Sequence, residues 1–208
     1  MSDDNRALEE DGKILDRISA FSDAVFAIAI TLLILDLKIP ADTLKSNIGS
    51  ALIALWPNYI AFVVSFFVIG LYWSEHVRLF REMIRYDQNL IWLNLLHLLF
   101  IVMIPFLTSI ISLYLTPLPV IVYAASIACA GYIRTGIRVY AGHEHRLISE
   151  KYCSLHIKKG IRSSLIAPIF FTISIGIALL NPLAAQLLWI LMFFFHVIFQ
   201  QLMKGKEM

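Results

Sequence analysis

Charge is scarce in this 208-residue chain: only 15% of its residues are Asp, Glu, Lys or Arg, whereas soluble domains carry about 25%. Its 17 basic residues nearly balance 15 acidic ones, leaving +2, so the basic excess that marks a nucleic-acid partner is missing. Cysteine is scarcer still. Cys129 inside an apolar run and Cys153 in a polar one make no disulfide framework and give redox chemistry no support. Apolar residues, by contrast, reach 59%, against about 45–50% in soluble domains, which excludes disorder, collagen-like repeats and an ordinary soluble enzyme. At about 20 residues per membrane-crossing helix, that content accommodates roughly six spans.

The apolar runs fall at 21–37, 49–73, 90–115, 118–133, 161–180 and 183–203, divided by Lys38 and Pro40, by Thr116-Pro117 and by Asn181-Pro182. The sequence therefore predicts an all-α integral membrane protein with six transmembrane helices. Residues 1–16 are polar and mostly acidic, unlike the basic start of a cleavable signal peptide. They are expected to form an N-terminal tail, followed by a membrane domain over 17–203 and a short tail over 204–208. Pro57, Pro105 and Pro168 lie inside spans and are expected to bend them. No internal duplication is apparent, so any pore has to be assembled from several chains.

Sidedness follows from Lys and Arg. Fifteen of them lie in the N-terminal segment, the loop after span two, the segment after span four and the C-terminal tail; only Lys38 and Lys45 lie on the other side. Cytoplasmic loops carry such an excess, so both termini are expected in the cytoplasm of a cell-membrane, multi-pass protein. The spacing of Arg134 and Arg138 suggests that helix four continues into the cytoplasm, with its charges on a solvated face.

Within spans, polar residues are the informative ones, because lipid gives them no partners. They concentrate early: Ser22, Asp23, Thr31 and Asp36 in span one, Trp73, Ser74, Glu75 and His76 ending span two, and Asn94, His97, Thr108 and Ser109 in span three. Asp23 has two readings. It is a helix-start acid favoured by the macrodipole, or part of a structural clamp in which Ser22 and Asp23 share hydrogen bonds with Trp73, His76 or Asn94. Trp73 with His76, and Asn94 with His97, are three residues apart and face the same way.

On a helical wheel, Ile28, Leu32 and Leu35 fall near 0°, at about 40° and at about −20°, a single narrow stripe, while Asp23 lies about 140° away. By itself such a stripe means lipid contact or bundle packing. Arg17, at about −20° on that wheel, does not pair with Asp23 on its own helix and reads as an inside-facing boundary charge.

The string Arg17-Ile18-Ser19-Ala20-Phe21-Ser22-Asp23-Ala24-Val25-Phe26-Ala27-Ile28 resembles the RxxxFSD signature of the first helix in prokaryotic relatives of the endolysosomal potassium channel transmembrane protein 175. WSEHVRLFR, from Trp73 to Arg81, and NLLHLLFIVMIPFLTS, from Asn94 to Ser109, are similar to that family's second and third helices. The resemblance implies a potassium-permeable cation channel, a homotetramer in the lipid bilayer whose pore is lined by the first helix of each chain. It further implies a constriction of stacked apolar side chains at Ile28, Leu32 and Leu35 in place of a TVGYG filter, with Thr31 assisting selectivity. The FSD residues, with Arg17 and Phe21, then belong to a structural network that includes Trp73, His76, Asn94 and His97. Asp36, at about 80° on the wheel, is a candidate for attracting cations at the outer end. No cofactor and no metal beyond permeant K+ is expected.

Two other classes compete. A proton-coupled secondary transporter would use Asp23, His76 and His97 as a relay, yet the broken first helix and inverted repeat common in such carriers are not apparent. A membrane enzyme has only His143-Glu144-His145 to offer; histidines two apart do not share a helical face, and no HExxH or nucleophile motif accompanies them.

Overall fold

The computed structural model describes residues 3–39, 47–114, 116–143, 147–149, 151–152 and 154–191. Every regular element among them is helical, apart from one isolated antiparallel bridge between Met83 and Ile148. Helix α1 runs Asp3–Leu32 and passes into a 3-10 turn, Leu33–Asp36. A short α2, Ile48–Ala54, precedes α3, Trp56–Arg81. Then come α4, Gln88–Leu113, α5, Pro117–Gly142, α6, Ser154–Leu180, and α7, Pro182–Leu191.

Five of these are long and apolar enough to cross a membrane: α1 with its 3-10 extension, α3, α4, α5 and α6. The expected sixth span begins as α7. Its remainder lies outside the described residues, as do the expected tail over 204–208 and Cys153. The polar N-terminal segment is helical from Asp3 and continuous with span one.

Local chemistry explains where the helices start. Asp87 caps α4 by accepting a hydrogen bond from the Leu90 amide at 2.9 Å, and Asn181 Oδ1 accepts from the amides of Leu183 and Ala184 at the head of α7. Pro117 and Pro57 sit in the first turns of α5 and α3, where the missing N–H breaks no intrahelical bond. Span two is interrupted beside Pro57, at Leu55, where α2 ends and α3 begins. Pro105 and Pro168 do lie inside helices.

Helix α5 is the hub, flanked by α4 and α6, while α1 packs against α3 and α4. Small residues make this close approach possible, since van der Waals packing between backbones is what holds helices together in lipid. Ala124, Ala128, Ala130 and Gly131 of α5 are all buried. A Cβ on Gly131 would lie 2.8 Å from the Tyr72 hydroxyl oxygen and 2.9 Å from Pro168 Cβ. The main core joins Phe26, Ile69, Tyr72, Ile101, Tyr123, Ile127, Phe171 and Trp189. A second cluster, with Leu15, Leu79, Phe80, Leu90, Ile137 and Ile148, closes the end that carries most of the charge.

That end also corrects the solvated-face expectation for the helix-four extension. The helix does continue through Arg134 and Arg138 to Gly142, but both arginines are buried. Arg138 donates to Glu82 Oε2 at 2.9 Å, and both side chains are 5% exposed. Gly160 of α6 lies beneath the Arg138 guanidinium. His156 approaches the other Glu82 oxygen at 3.4 Å, and the Glu82 carbonyl accepts from the Ser149 amide. Glu82 thus ties the end of α3 to α5 and α6 through its carboxylate and to their connecting segment through its main-chain carbonyl.

Candidate functional site

Helix α1 and its 3-10 turn present two unlike faces. Ser22, Phe26, Ala29 and Leu33, spaced four, three and four apart, are buried against the bundle. Phe21, Ile28, Leu32 and Leu35 are exposed, at 54%, 58%, 40% and 58% respectively. Thr31 is exposed beside them, its hydroxyl donating to the Ile28 carbonyl at 2.9 Å.

The 3-10 turn changes the wheel beyond Leu32. With about three residues per turn, positions three apart eclipse, so Leu35 stands directly over Leu32 and the stripe is straighter than a continuous α-helix makes it. Asp36 rotates to about 160°, away from the stripe. It is half-buried.

Behind the stripe the polar residues of the first three spans meet. Ser22 donates to the Ile18 carbonyl of its own helix at 2.8 Å and accepts from Asn94 Nδ2 at 2.9 Å. The Asn94 Oδ1 accepts from His76 Nε2 at 2.9 Å. Asp23 Oδ1 separately accepts from the Trp73 indole N–H at 2.8 Å. Asp23 stands twenty residues after the start of α1, so the helix-start reading does not describe its position, since that effect is confined to the first turn.

His97 donates from Nδ1 to the Ala130 carbonyl at 3.0 Å, and its ring lies parallel to His76 at 6.0 Å, with Phe26 against both. Among the described residues no hydrogen bond joins Asp23 to either histidine, and His76 Nδ1 and His97 Nε2 are buried without a partner. The proton relay of the transporter reading is therefore not a connected chain. Arg17 and Phe21 line a shallow groove with Ile14, Ile18, Ile91, Asn94 and Leu95, between α1 and α4.

Of a second buried network the sequence marks only Thr108. Thr108 donates to Ser65 Oγ at 2.7 Å, and Ser65 shares a 2.8 Å hydrogen bond with the Tyr123 hydroxyl. Tyr72 donates to the Ile127 carbonyl at 2.8 Å. Ser65 was a polar residue inside an apolar run and could have been singled out on that ground. The two tyrosines read as apolar bulk. The Ser109 hydroxyl, by contrast, donates to the Phe106 carbonyl of its own helix.

Five apolar spans around a hydrogen-bonded interior define a multi-span helical membrane protein. The family profile described as endosomal/lysosomal potassium channel TMEM175 matches residues 17–105. A potassium channel of Chamaesiphon minutus is 36% identical over 141 residues, covering 65% of this chain and 70% of that protein. A potassium channel of Streptomyces collinus is 48% identical over 99 residues, a match that covers 48% of each chain and so about half the length of that relative. Among solved structures, the crystal structure of a lysosomal potassium-selective channel TMEM175 homologue from Chamaesiphon minutus superposes with a TM-score of 0.79 at 26% identity, covering 89% of this chain and 97% of that one. The chain belongs to the TMEM175 family.

Proposed function

We propose that the protein is a potassium-permeable cation channel, not an enzyme, in which copies of α1 line a central pore. The reading rests on one observation above others: Ile28, Leu32 and Leu35 form an exposed apolar stripe on the helix that carries the family signature, opposite a fully packed face. Four chains around the axis, each contributing this stripe, would stack rings of Ile28, Leu32 and Leu35 into a constriction. A narrow apolar ring excludes water when closed and passes a partly hydrated ion when widened. Potassium, the more weakly hydrated ion, crosses at lower cost than sodium, and Thr31 hydroxyls beside the ring replace part of its lost water.

In the same reading the residues behind the stripe are structural. Ser22, Asp23, Trp73, His76 and Asn94, with His97 against α5, hold α1 in register so that the rings stay aligned; Arg17 and Phe21 belong to the edge where α1 meets α4. Asp36 serves the outer mouth only by long-range attraction of cations, because the 3-10 turn rotates it off the stripe. The channel sits in the cell membrane with both termini cytoplasmic, has a single membrane domain over 17–203 between the tails 1–16 and 204–208, and needs no cofactor. Bi-ionic potassium/sodium reversal potentials on purified protein in planar bilayers test this. A potential displaced toward the potassium equilibrium value, carried by unitary currents, supports the channel; saturable flux coupled to pH without unitary currents rejects it.

A further inference from the structure

A groove runs between α3, α6 and α7, and at one end of it lies Arg134, a buried cation that makes no ion pair among the described residues. Arg134 is 5% exposed, yet its guanidinium makes only one hydrogen bond among the described residues, a long one of 3.4 Å to the Ser164 carbonyl. It also stacks 4.9 Å over the Tyr72 ring. An arginine has five N–H donors, and burying a charge without a counter-ion is strongly unfavourable. Glu75 lines the same end of the groove, but its carboxylate is turned to Arg78 at 3.4 Å, one turn further along its own helix.

The rest of the groove is apolar, formed by Val64, Val68, Ile166, Ala167, Phe171 and Trp189. Val64 and Glu75 mark its two ends on α3, a separation of about 16 Å at 1.5 Å per residue. That is close to half of a hydrocarbon core about 30 Å thick. The groove is therefore as deep as one leaflet, with its cation at the end where basic residues cluster. On the orientation proposed above, this is the cytoplasmic leaflet, the one rich in anionic lipid.

We propose that this groove binds an anionic phospholipid, its phosphate on Arg134 and one acyl chain along Val68, Ile166 and Phe171. The competing arrangement is internal: Glu75 turning to Arg134 and leaving nothing for a ligand. The two differ in the sign of the Glu75 effect, because a neighbouring carboxylate repels a bound phosphate but is indispensable as a counter-ion.

Native mass spectrometry of the full-length protein in detergent, mixed with equal amounts of phosphatidylglycerol and phosphatidylcholine, tests the site without measuring any current. A failure here is thus distinct from a failure of the channel reading. The wild type is expected to retain phosphatidylglycerol about tenfold more than phosphatidylcholine, with Arg134→Gln abolishing the preference. Glu75→Gln is expected to preserve or strengthen it. Ile166→Trp, at a position 63% exposed, fills the apolar part and is expected to lower retention of both lipids, which keeps the test available if Arg134→Gln does not fold. Equal retention of both lipids by the wild type, or unchanged retention in folded Arg134→Gln and Ile166→Trp, overturns the proposal. So does a Glu75→Gln protein that loses stability and lipid preference together.

Discussion

Trp73 reaches from α3 to donate its indole N–H to Asp23 on α1 at 2.8 Å, while the neighbouring Ser22 is held by Asn94 of α4. Consecutive residues of one helix are thus fixed to two different helices. That arrangement resists rotation of α1 about its own axis, the motion that would turn Ile28, Leu32 and Leu35 away from a common line.

The two halves of this clamp differ in burial, so their loss should differ in size. Asn94 is 2% exposed and bridges Ser22 and His76. Asn94→Ala leaves the His76 N–H buried without its acceptor, and destabilisation of about 2–4 kcal/mol is expected. Trp73 is 44% exposed, so Trp73→Phe should cost only about 1 kcal/mol. Thermal unfolding in detergent followed by size-exclusion chromatography measures both, and a larger loss for Trp73→Phe would contradict the order.

Glu82 and Arg138 form a buried ion pair at the charged end of the bundle. Removing one partner strands the other charge, so Glu82→Gln or Arg138→Met should each cost about 3–5 kcal/mol, whereas replacing both by apolar residues should restore much of that loss. A double-mutant cycle on unfolding midpoints checks the coupling; additive effects would mean the charges do not depend on each other.

Gly131→Ala should destabilise by about 1–3 kcal/mol, because the new methyl meets the Tyr72 hydroxyl and Pro168 where α5, α3 and α6 converge. Gly136, on the same helix, has open space around it. There the same substitution should be neutral or stabilising by about 0.5 kcal/mol, through helix propensity alone. If both changes behave alike in a midpoint measurement, close packing at Gly131 is not what sets its identity.

The membrane character and the first five spans were legible from the long apolar runs, and the meeting of Ser22 with Asn94 and of Asp23 with Trp73 because a polar residue in an apolar run has to find a partner, and few were available. Arg134 and Arg138 misled for the opposite reason. A basic residue just past a span usually reaches water, and only the packing of α3 and α6 over that part of α5 buries these two. Tyr72 and Tyr123 carry hydroxyls on rings that count as apolar, so their bonds to Ile127 and Ser65 left no mark in the pattern. Leu33-Ile34-Leu35-Asp36 holds no glycine or proline to announce the 3-10 turn. The rotation of Asp36 follows from that turn and was invisible on a regular wheel.

Polar substitution on the stripe should change permeation and leave the fold alone, since these side chains touch little within the chain. Ile28→Ser or Leu32→Ser should wet the constriction, raise resting leak and bring the potassium/sodium reversal potential toward zero. Thr31→Val should reduce potassium preference with a smaller change in leak. Unchanged reversal potentials across all three would count against the assignment of these positions.

Whether α1 faces water or lipid is the question on which the account turns. The direct measurement places a cysteine at Ile28 in a background with Cys129 and Cys153 replaced, and follows the current as a membrane-impermeant, charged thiol reagent is added. Progressive block of the current, with covalent labelling of Ile28→Cys, is the predicted result. An unlabelled cysteine in a conducting protein, its current untouched by the reagent, would place the stripe in the acyl chains and contradict the account.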